Sequence, residues 1–277
     1  MSDRAFTYGI WGAALLVSSA FLWLLGDLVW HGAPHLSWSF LVSEPMNAGR
    51  AGGIAPILVS TVLILAVALV AVVPLGLGAA VWLAEYTRRG GASGQSIRLS
   101  LDVLAGVPSI VFGLFGYAFF CIFLGFGFSI LSGGLTLACM ILPIFIRTSE
   151  AGLAAVEHDW RHGAAALGMT RAAALWHILL PAAASAISAG LMLGIGRATA
   201  ETAALIFTSG YVDRMPESLA DSGRALAVHI YDLTMNVSGG DGAAYASALV
   251  LIVLIVIINT GALSLSERWL TRRITTS

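Results

Sequence analysis

Residues 197–202 of this chain read Arg-Ala-Thr-Ala-Glu-Thr, inside an apolar stretch that runs from about 180 to 208. Arg197 and Glu201 stand four residues apart, a spacing that predicts one shared face of a helix. A charged side chain at the centre of a membrane helix costs about 2.5–3.5 kcal/mol on insertion scales, so it turns toward a bundle interior or an aqueous path. Two chemistries fit. One is an internal salt bridge that locks helices together. The other is an anion relay, because a planar guanidinium gives bidentate hydrogen bonds to tetrahedral oxyanions. In that relay Glu201 partly neutralises Arg197, so that an anion is attracted without being trapped. Thr199 and Thr202 supply hydroxyls beside the pair. Arg147, near the end of another apolar stretch, is either a second station for the anion or a side chain that snorkels to the interface.

The elements that must position these residues are membrane helices. Of the 277 residues 58% are hydrophobic and only 10% charged, where a soluble domain carries roughly a quarter charged. That balance excludes an ordinary cytosolic enzyme, a disordered scaffold and a nucleic-acid binder, and the net charge of −1 gives no field to recruit nucleic acid. All 14 basic residues are arginine. Without lysine the chain has no P-loop and no Schiff-base chemistry. Cys121 and Cys139 lie in apolar runs with no zinc or redox spacing and read as core residues. Six stretches, near 8–30, 54–84, 103–125, 130–148, 180–208 and 243–265, reach the ~20 residues that a crossing needs. The expected fold is all-α with six transmembrane helices, since backbone groups in lipid must pair within their own segment. The first stretch is too long and too poor in basic residues for a signal peptide and reads as an anchor.

Arg4, Arg88, Arg89, Arg98, Arg161, Arg171, Arg268, Arg272 and Arg273 fall on one side of this arrangement; Arg50, Arg214 and Arg224 fall on the other. The positive-inside rule then places both termini and the 86–100 and 149–178 loops in the cytoplasm. No linker or composition shift divides residues 1–277, so one transmembrane domain is expected. No duplicated half is visible, which suggests that the chain is itself half of a pathway. Gly190-x-x-x-Gly194 has the small-residue spacing that lets helices approach closely, either within the chain or at a subunit seam. Asp102 is expected to cap the third span, and Asp27 to snorkel outward. Leu219, Leu226, Ile230 and Leu233 mark an amphipathic outward segment that either lies on the membrane surface or docks a binding protein.

Segment 149–181 carries the most specific pattern. Asp159 is expected as an N-cap, Gly168 as a left-handed terminator, and Thr170 as the cap of a second short helix ending ahead of Pro181. Gly168, nine residues, then Ile178-x-Leu180-Pro181 resembles the coupling loop of ABC importer permeases. The family's Glu-Ala-Ala falls here on His162-Gly163-Ala164, so its leading glutamate is replaced. Leu167, Met169 and Trp176 are apolar residues that a solvated connector does not need. From about 52 to 259 further strings resemble phosphate-specific permeases, among them Gly53-Ile54-Ala55-Pro56, Leu83-Ala84-Glu85-Tyr86, Gly106-Val107-Pro108-Ser109 and Leu142-Pro143-Ile144-Phe145-Ile146-Arg147. Gly196-Arg197-Ala198-Thr199-Ala200-Glu201-Thr202 joins them, and Leu226-Ala227-Val228-His229-Ile230-Tyr231 resembles the A-type member. Ala200 and Ala204 replace the usual glycine and proline.

The resemblance implies a type I ABC importer permease with a MetI-like fold, resident in a bacterial cytoplasmic membrane. It implies inorganic phosphate as substrate and Arg147, Arg197 and Glu201 in the pathway. The implied partners are a second homologous permease, two ATP-binding subunits and an extracytoplasmic phosphate-binding protein, besides the lipid bilayer. ATP and magnesium would reside in the partner subunits, with no cofactor in this chain. A permease for phosphonate, sulfate or molybdate, or a stand-alone secondary transporter or channel, is the alternative. A scaffold that senses phosphate without transporting it is a third reading.

Overall fold

The computed structural model describes residues 2–87 and 91–274, with side chains for 6–87, 91–261 and 264. Arg88 and Arg89, and the side chains of Arg4, Arg268, Arg272 and Arg273, on which the orientation partly rests, lie outside the described residues. Among the described residues the fold is all-α apart from one hairpin of two-residue strands, β1 (Pro45–Met46) with β2 (Ala51–Gly52). Five helical stretches among the described residues are long and apolar enough to cross a membrane: Phe6–His35, Ala55–Tyr86, Ile130–Ala155, Arg171–Thr199 and Asp241–Gly261. A sixth crossing is available only as a pair of helices bent by 100°, Ala92–Ala105 with Ser109–Phe123.

In chain order the helices are α1 (Ser2–Gly32), α2 (Trp38–Val42), α3 (Ala55–Val81), α4 (Ala92–Ala105), α5 (Ser109–Gly116) and α6 (Ile130–Ala155). They continue as α7 (His158–Ala166), α8 (Arg171–Ala174), α9 (Leu180–Thr199), α10 (Ala203–Ile206), α11 (Leu226–Met235) and α12 (Asp241–Ile274). Wide π-helical turns extend α3 to Tyr86 and α5 to Phe123, and another joins α8 to α9.

Four expectations about the helices are corrected. The stretch 103–125 is not one helix, because Pro108 disfavours helical backbone at Val107 and lacks an N–H of its own. Asp102 therefore lies inside α4 and caps nothing. The stretch 180–208 begins earlier and stops sooner: α8, its wide turn and α9 run continuously from Arg171 to Thr199. Pro181 consequently sits within that helix rather than after it. The π-helical turn at Leu175–Leu179 directly precedes it, where the ring removes a backbone hydrogen bond.

Helices α3, α6 and α9 form the heart of the bundle, with Ile64, Ala68, Val72, Leu137, Ile141, Phe145 and Ala198 all buried there. Glycines set the separation. A methyl group at Gly134 would strike Val67, and one at Gly194 would strike Ile141. Gly190 lies against Thr148 in the same way, so the Gly190-x-x-x-Gly194 stripe packs on α6 of its own chain.

Candidate functional site

The charged pair sits where α9 ends. Ala200 terminates the helix, and Glu201 and Thr202 lead into α10. Arg197 and Glu201 are thus not on one helical face, which corrects the four-residue reading. Glu201 Oε1 instead accepts the Ala204 N–H at 3.1 Å, serving the first turn of α10, and its side chain is buried. Close packing against α5 favours this break: the backbone of Ala204 passes so near Gly113 that a Cβ there would lie 2.8 Å from Ala204 Cα. No ion pair joins Arg197 to Glu201 among the described residues. Arg197 is exposed in the last turn of α9, where the helix dipole favours a cation, and it has no hydrogen-bond partner among the described residues. Thr199 Oγ1 donates to Ile195 O at 2.7 Å, so its hydroxyl serves its own helix, while Thr202 is half-buried.

Arg147 is placed elsewhere. Gly190 packs against Thr148, so Arg147 lies about seven residues, roughly 10 Å, along the α9 axis from Arg197. Its guanidinium is occupied. Nε donates to Asp102 Oδ1 at 2.8 Å, Nη2 to Oδ2 at 3.4 Å, and Nη1 to Glu150 Oε2 at 2.8 Å. Glu150 is buried and also accepts from Arg98 Nε, while Arg98 Nη2 donates to Leu83 O at 3.0 Å. Two guanidinium groups around one buried carboxylate supply the hydrogen bonds such a charge needs. Sequence reasoning missed Arg98 and Glu150, because their partners are 52 residues apart and no local spacing reports them.

The 149–181 segment has the expected bent helical pair. Gly168, at φ +73°, ends α7 with its N–H on Ala165 O and the Met169 N–H on Ala164 O, the paired closure of a left-handed terminator. Thr170 caps α8 by accepting the Ala173 N–H at 3.2 Å. Asp159 is not the N-cap; it lies in the first turn of α7, which starts after Glu157. At the bend Leu167 is 81% exposed, and His162, Gly163 and Trp176 also face outward. Ala164, Met169, Ile178, Leu180 and Pro181 lie inward, with Ile178 and Leu180 packed near Leu153, Leu179 and Ala183. Arg161 anchors α7: its Nη2 donates to Glu85 Oε1 at 2.6 Å and to Leu153 O at 2.8 Å, and its Nη1 to Val156 O. Helix α7 is thereby tied to the ends of both α3 and α6. Arg161 was not singled out from sequence, although Glu85 belongs to one of the family-like strings.

At the opposite end the expected surface helix is corrected. Residues 211–225 are irregular, and within α11 Leu226, Val228, His229 and Leu233 are fully buried rather than laid on lipid. Leu226 N–H donates to Thr61 Oγ1 of α3 at 2.8 Å. Arg224 gathers the loop: Nε donates to Tyr211 O at 2.8 Å and Nη1 lies 3.1 Å from Asp232 Oδ2 and 3.4 Å from His229 Nδ1. The His229 ring lies beneath Gly49, whose φ of +86° no side chain accommodates readily. Burial, reinforced by Arg224 and opposed by Asp213 and Asp232, pushes the imidazole down to about 4.

Membrane-length helices, a bent sixth crossing and a helical knob pinned beneath the bundle define an all-α importer permease. The chain belongs to the binding-protein-dependent transport system inner membrane component family, which matches residues 73–274. It is therefore the permease component of an ABC importer, resident in the inner membrane. It is 29% identical over 290 residues to the probable ABC transporter permease protein YqgI of Bacillus subtilis, covering 98% of this chain and 95% of that one. It is 31% identical over 280 residues to the phosphate transport system permease protein PstA 2 of Mycobacterium bovis, covering 98% and 90%. Among solved structures, a bacterial ABC transporter involved in importing the acidic polysaccharide alginate superposes with a TM-score of 0.62 at 13% identity, over 93% of this chain and 96% of that chain.

Proposed function

We propose that this chain is a transmembrane subunit of an ATP-driven phosphate importer and lines half of the anion path. The observation that carries the reading is Arg197, an exposed guanidinium in the last turn of α9 with no hydrogen-bond or ion-pair partner among the described residues. Such a group is costly against lipid, so its exposed side belongs to an aqueous path or to a second permease. Its planar fork suits a tetrahedral oxyanion, and the phosphate-transport names of several relatives favour phosphate. Glu201, close in sequence and buried, tempers the positive field; Thr202 and Arg147 continue the path, while Thr199 stiffens the end of α9.

On this reading two ATP-binding subunits supply ATP and magnesium chemistry from the arginine-rich side, which the positive-inside rule makes cytoplasmic. They grip the knob at Leu167, and a phosphate-binding protein docks at the opposite end. Closure of the ATPase pair pushes α7, and Arg161 passes the displacement to Glu85 and the base of α3. The bundle then alternates between two states biased by nucleotide and by loaded binding protein.

The test is the complex reconstituted in proteoliposomes with its partner subunits. Phosphate should stimulate both ATP hydrolysis and uptake, with sulfate and molybdate silent. Arg197→Ala should assemble normally and lose uptake. Full uptake by that variant removes Arg197 from the path; stimulation by sulfate or molybdate reassigns the oxyanion; uptake without ATPase subunits points to a secondary transporter.

A further inference from the structure

The Arg147 guanidinium faces two carboxylates that differ sharply in how firmly they are held. Glu150 has a side chain only 7% exposed and is shared with Arg98. Asp102 is 54% exposed, and Arg147 is its sole ion-pair or hydrogen-bond partner among the described residues. Asp102 nevertheless takes the better seat. It spans Nε and Nη2, the parallel pair of N–H donors that a tetrahedral oxyanion would use for bidentate binding. With Asp102 in place, an anion arriving from Arg197 finds that edge of Arg147 closed.

We propose that Asp102 is the exchangeable counter-ion of Arg147: an oxyanion cargo displaces its carboxylate on arrival, and the returning carboxylate expels the cargo. This rests on the reading of the chain as an oxyanion permease. The exchange needs a carboxylate that moves without dragging a spanning helix, and the fold provides one. Asp102 lies in the last turn of α4, separated from α5 by the 100° bend at Gly106–Pro108. Arg98, one turn earlier, keeps α4 attached to Glu150 and to Leu83 O while Asp102 releases. Electrostatics favour the same division of roles. Two arginines and two carboxylates leave the cluster near neutrality, so losing Asp102 exposes about one positive charge, the attraction an incoming anion needs. The buried Glu150 stays fixed, because leaving Arg98 and Arg147 together without it would oppose two cations in a part-buried site.

The experiment uses the reconstituted complex and inorganic phosphate. Uptake kinetics are measured in proteoliposomes, and phosphate retained by the solubilised complex is measured by equilibrium dialysis. Asp102→Asn removes the competing charge, so phosphate should be held roughly fivefold more tightly, the upper worth of an exposed ion pair. The kcat for uptake should fall while the KM, set by delivery, holds. Asp102→Glu should restore both values, and Arg147→Gln should abolish the extra retention in the Asp102→Asn background. Asp102→Ser repeats the charge removal with a smaller side chain and must behave like Asp102→Asn. Wild-type retention in both neutral variants overturns the proposal, as does extra retention that survives Arg147→Gln. So does a common loss of uptake and assembly in Asn, Ser and Glu variants alike, which would make Asp102 a support for the fold. A wild-type complex that retains and moves sulfate instead of phosphate refutes the cargo assignment alone, and the same variants then test the exchange with sulfate.

Discussion

Acidification tests the outer knot through His229. The ring is fully buried, and its protonated form would sit beside the Arg224 guanidinium, so the folded chain keeps it neutral down to about pH 4. In the unfolded chain the imidazole titrates near 6.5. Between those values the unfolded state binds a proton that the folded state refuses. Stability from this residue is thus constant above about pH 6.5, falls as pH drops through the window, and levels off below about 4. Each pH unit inside the window is worth about 1.4 kcal/mol, so passing from pH 7 to 5 removes about 2 kcal/mol and the whole window about 3 kcal/mol. The groups that shape this behaviour are Arg224 and Asp213 in the preceding loop and Asp232 on α11 itself. The hairpin brings Gly49 to the ring, and α3 carries no charged residue between Ala55 and Val81. The assay is denaturant unfolding of the solubilised chain at pH 7, 6 and 5, read by tryptophan fluorescence. His229→Gln lowers stability at neutral pH but deletes the slope, so the difference between wild type and variant should shrink by about 2 kcal/mol by pH 5. Parallel curves for the two proteins across that range would refute the placement of a neutral, buried imidazole.

Two other perturbations probe the ends of α3. Thr61→Val leaves the buried Leu226 N–H without its 2.8 Å acceptor, and should cost about 1–3 kcal/mol in the same unfolding assay with no change in its pH slope. Arg161→Gln removes the ion pair to Glu85 and two carbonyl contacts, and hydrogen exchange should accelerate roughly 10–100-fold at the amides of 164–169 while those of 137–145 stay protected. In the reconstituted complex the same variant should hydrolyse ATP without phosphate uptake, since α7 would move without α3.

The parts of the fold that were legible in the sequence are those governed by local chemistry. Apolar length gave four of the six spans, Gly168 and Thr170 gave the bend of the knob, and a nine-residue interval to Ile178 gave its resemblance. What escaped was decided by contacts between distant segments. Nothing in residues 197–202 announces that α9 stops at Thr199, because Ala200 and Glu201 are acceptable helix formers. The break appears only once Gly113 admits the Ala204 backbone and Glu201 finds the N–H of α10. The spacing of leucines around residue 226 fits a surface helix equally well, until Thr61 and Gly49 close over it from 165 residues away and from the hairpin.

The arginines divide along the same line. Arg98, Arg147, Arg161 and Arg224 each bond groups on another element or loop, and each fixes a place where two segments meet. Arg197 has no such partner among the described residues. A cation favoured locally only by the dipole of α9, with no bonded partner among the described residues, would cost about 2.5–3.5 kcal/mol if it faced lipid. That imbalance, rather than the pairing with Glu201 that its sequence spacing suggests, is what supports the proposal that Arg197 serves the anion path.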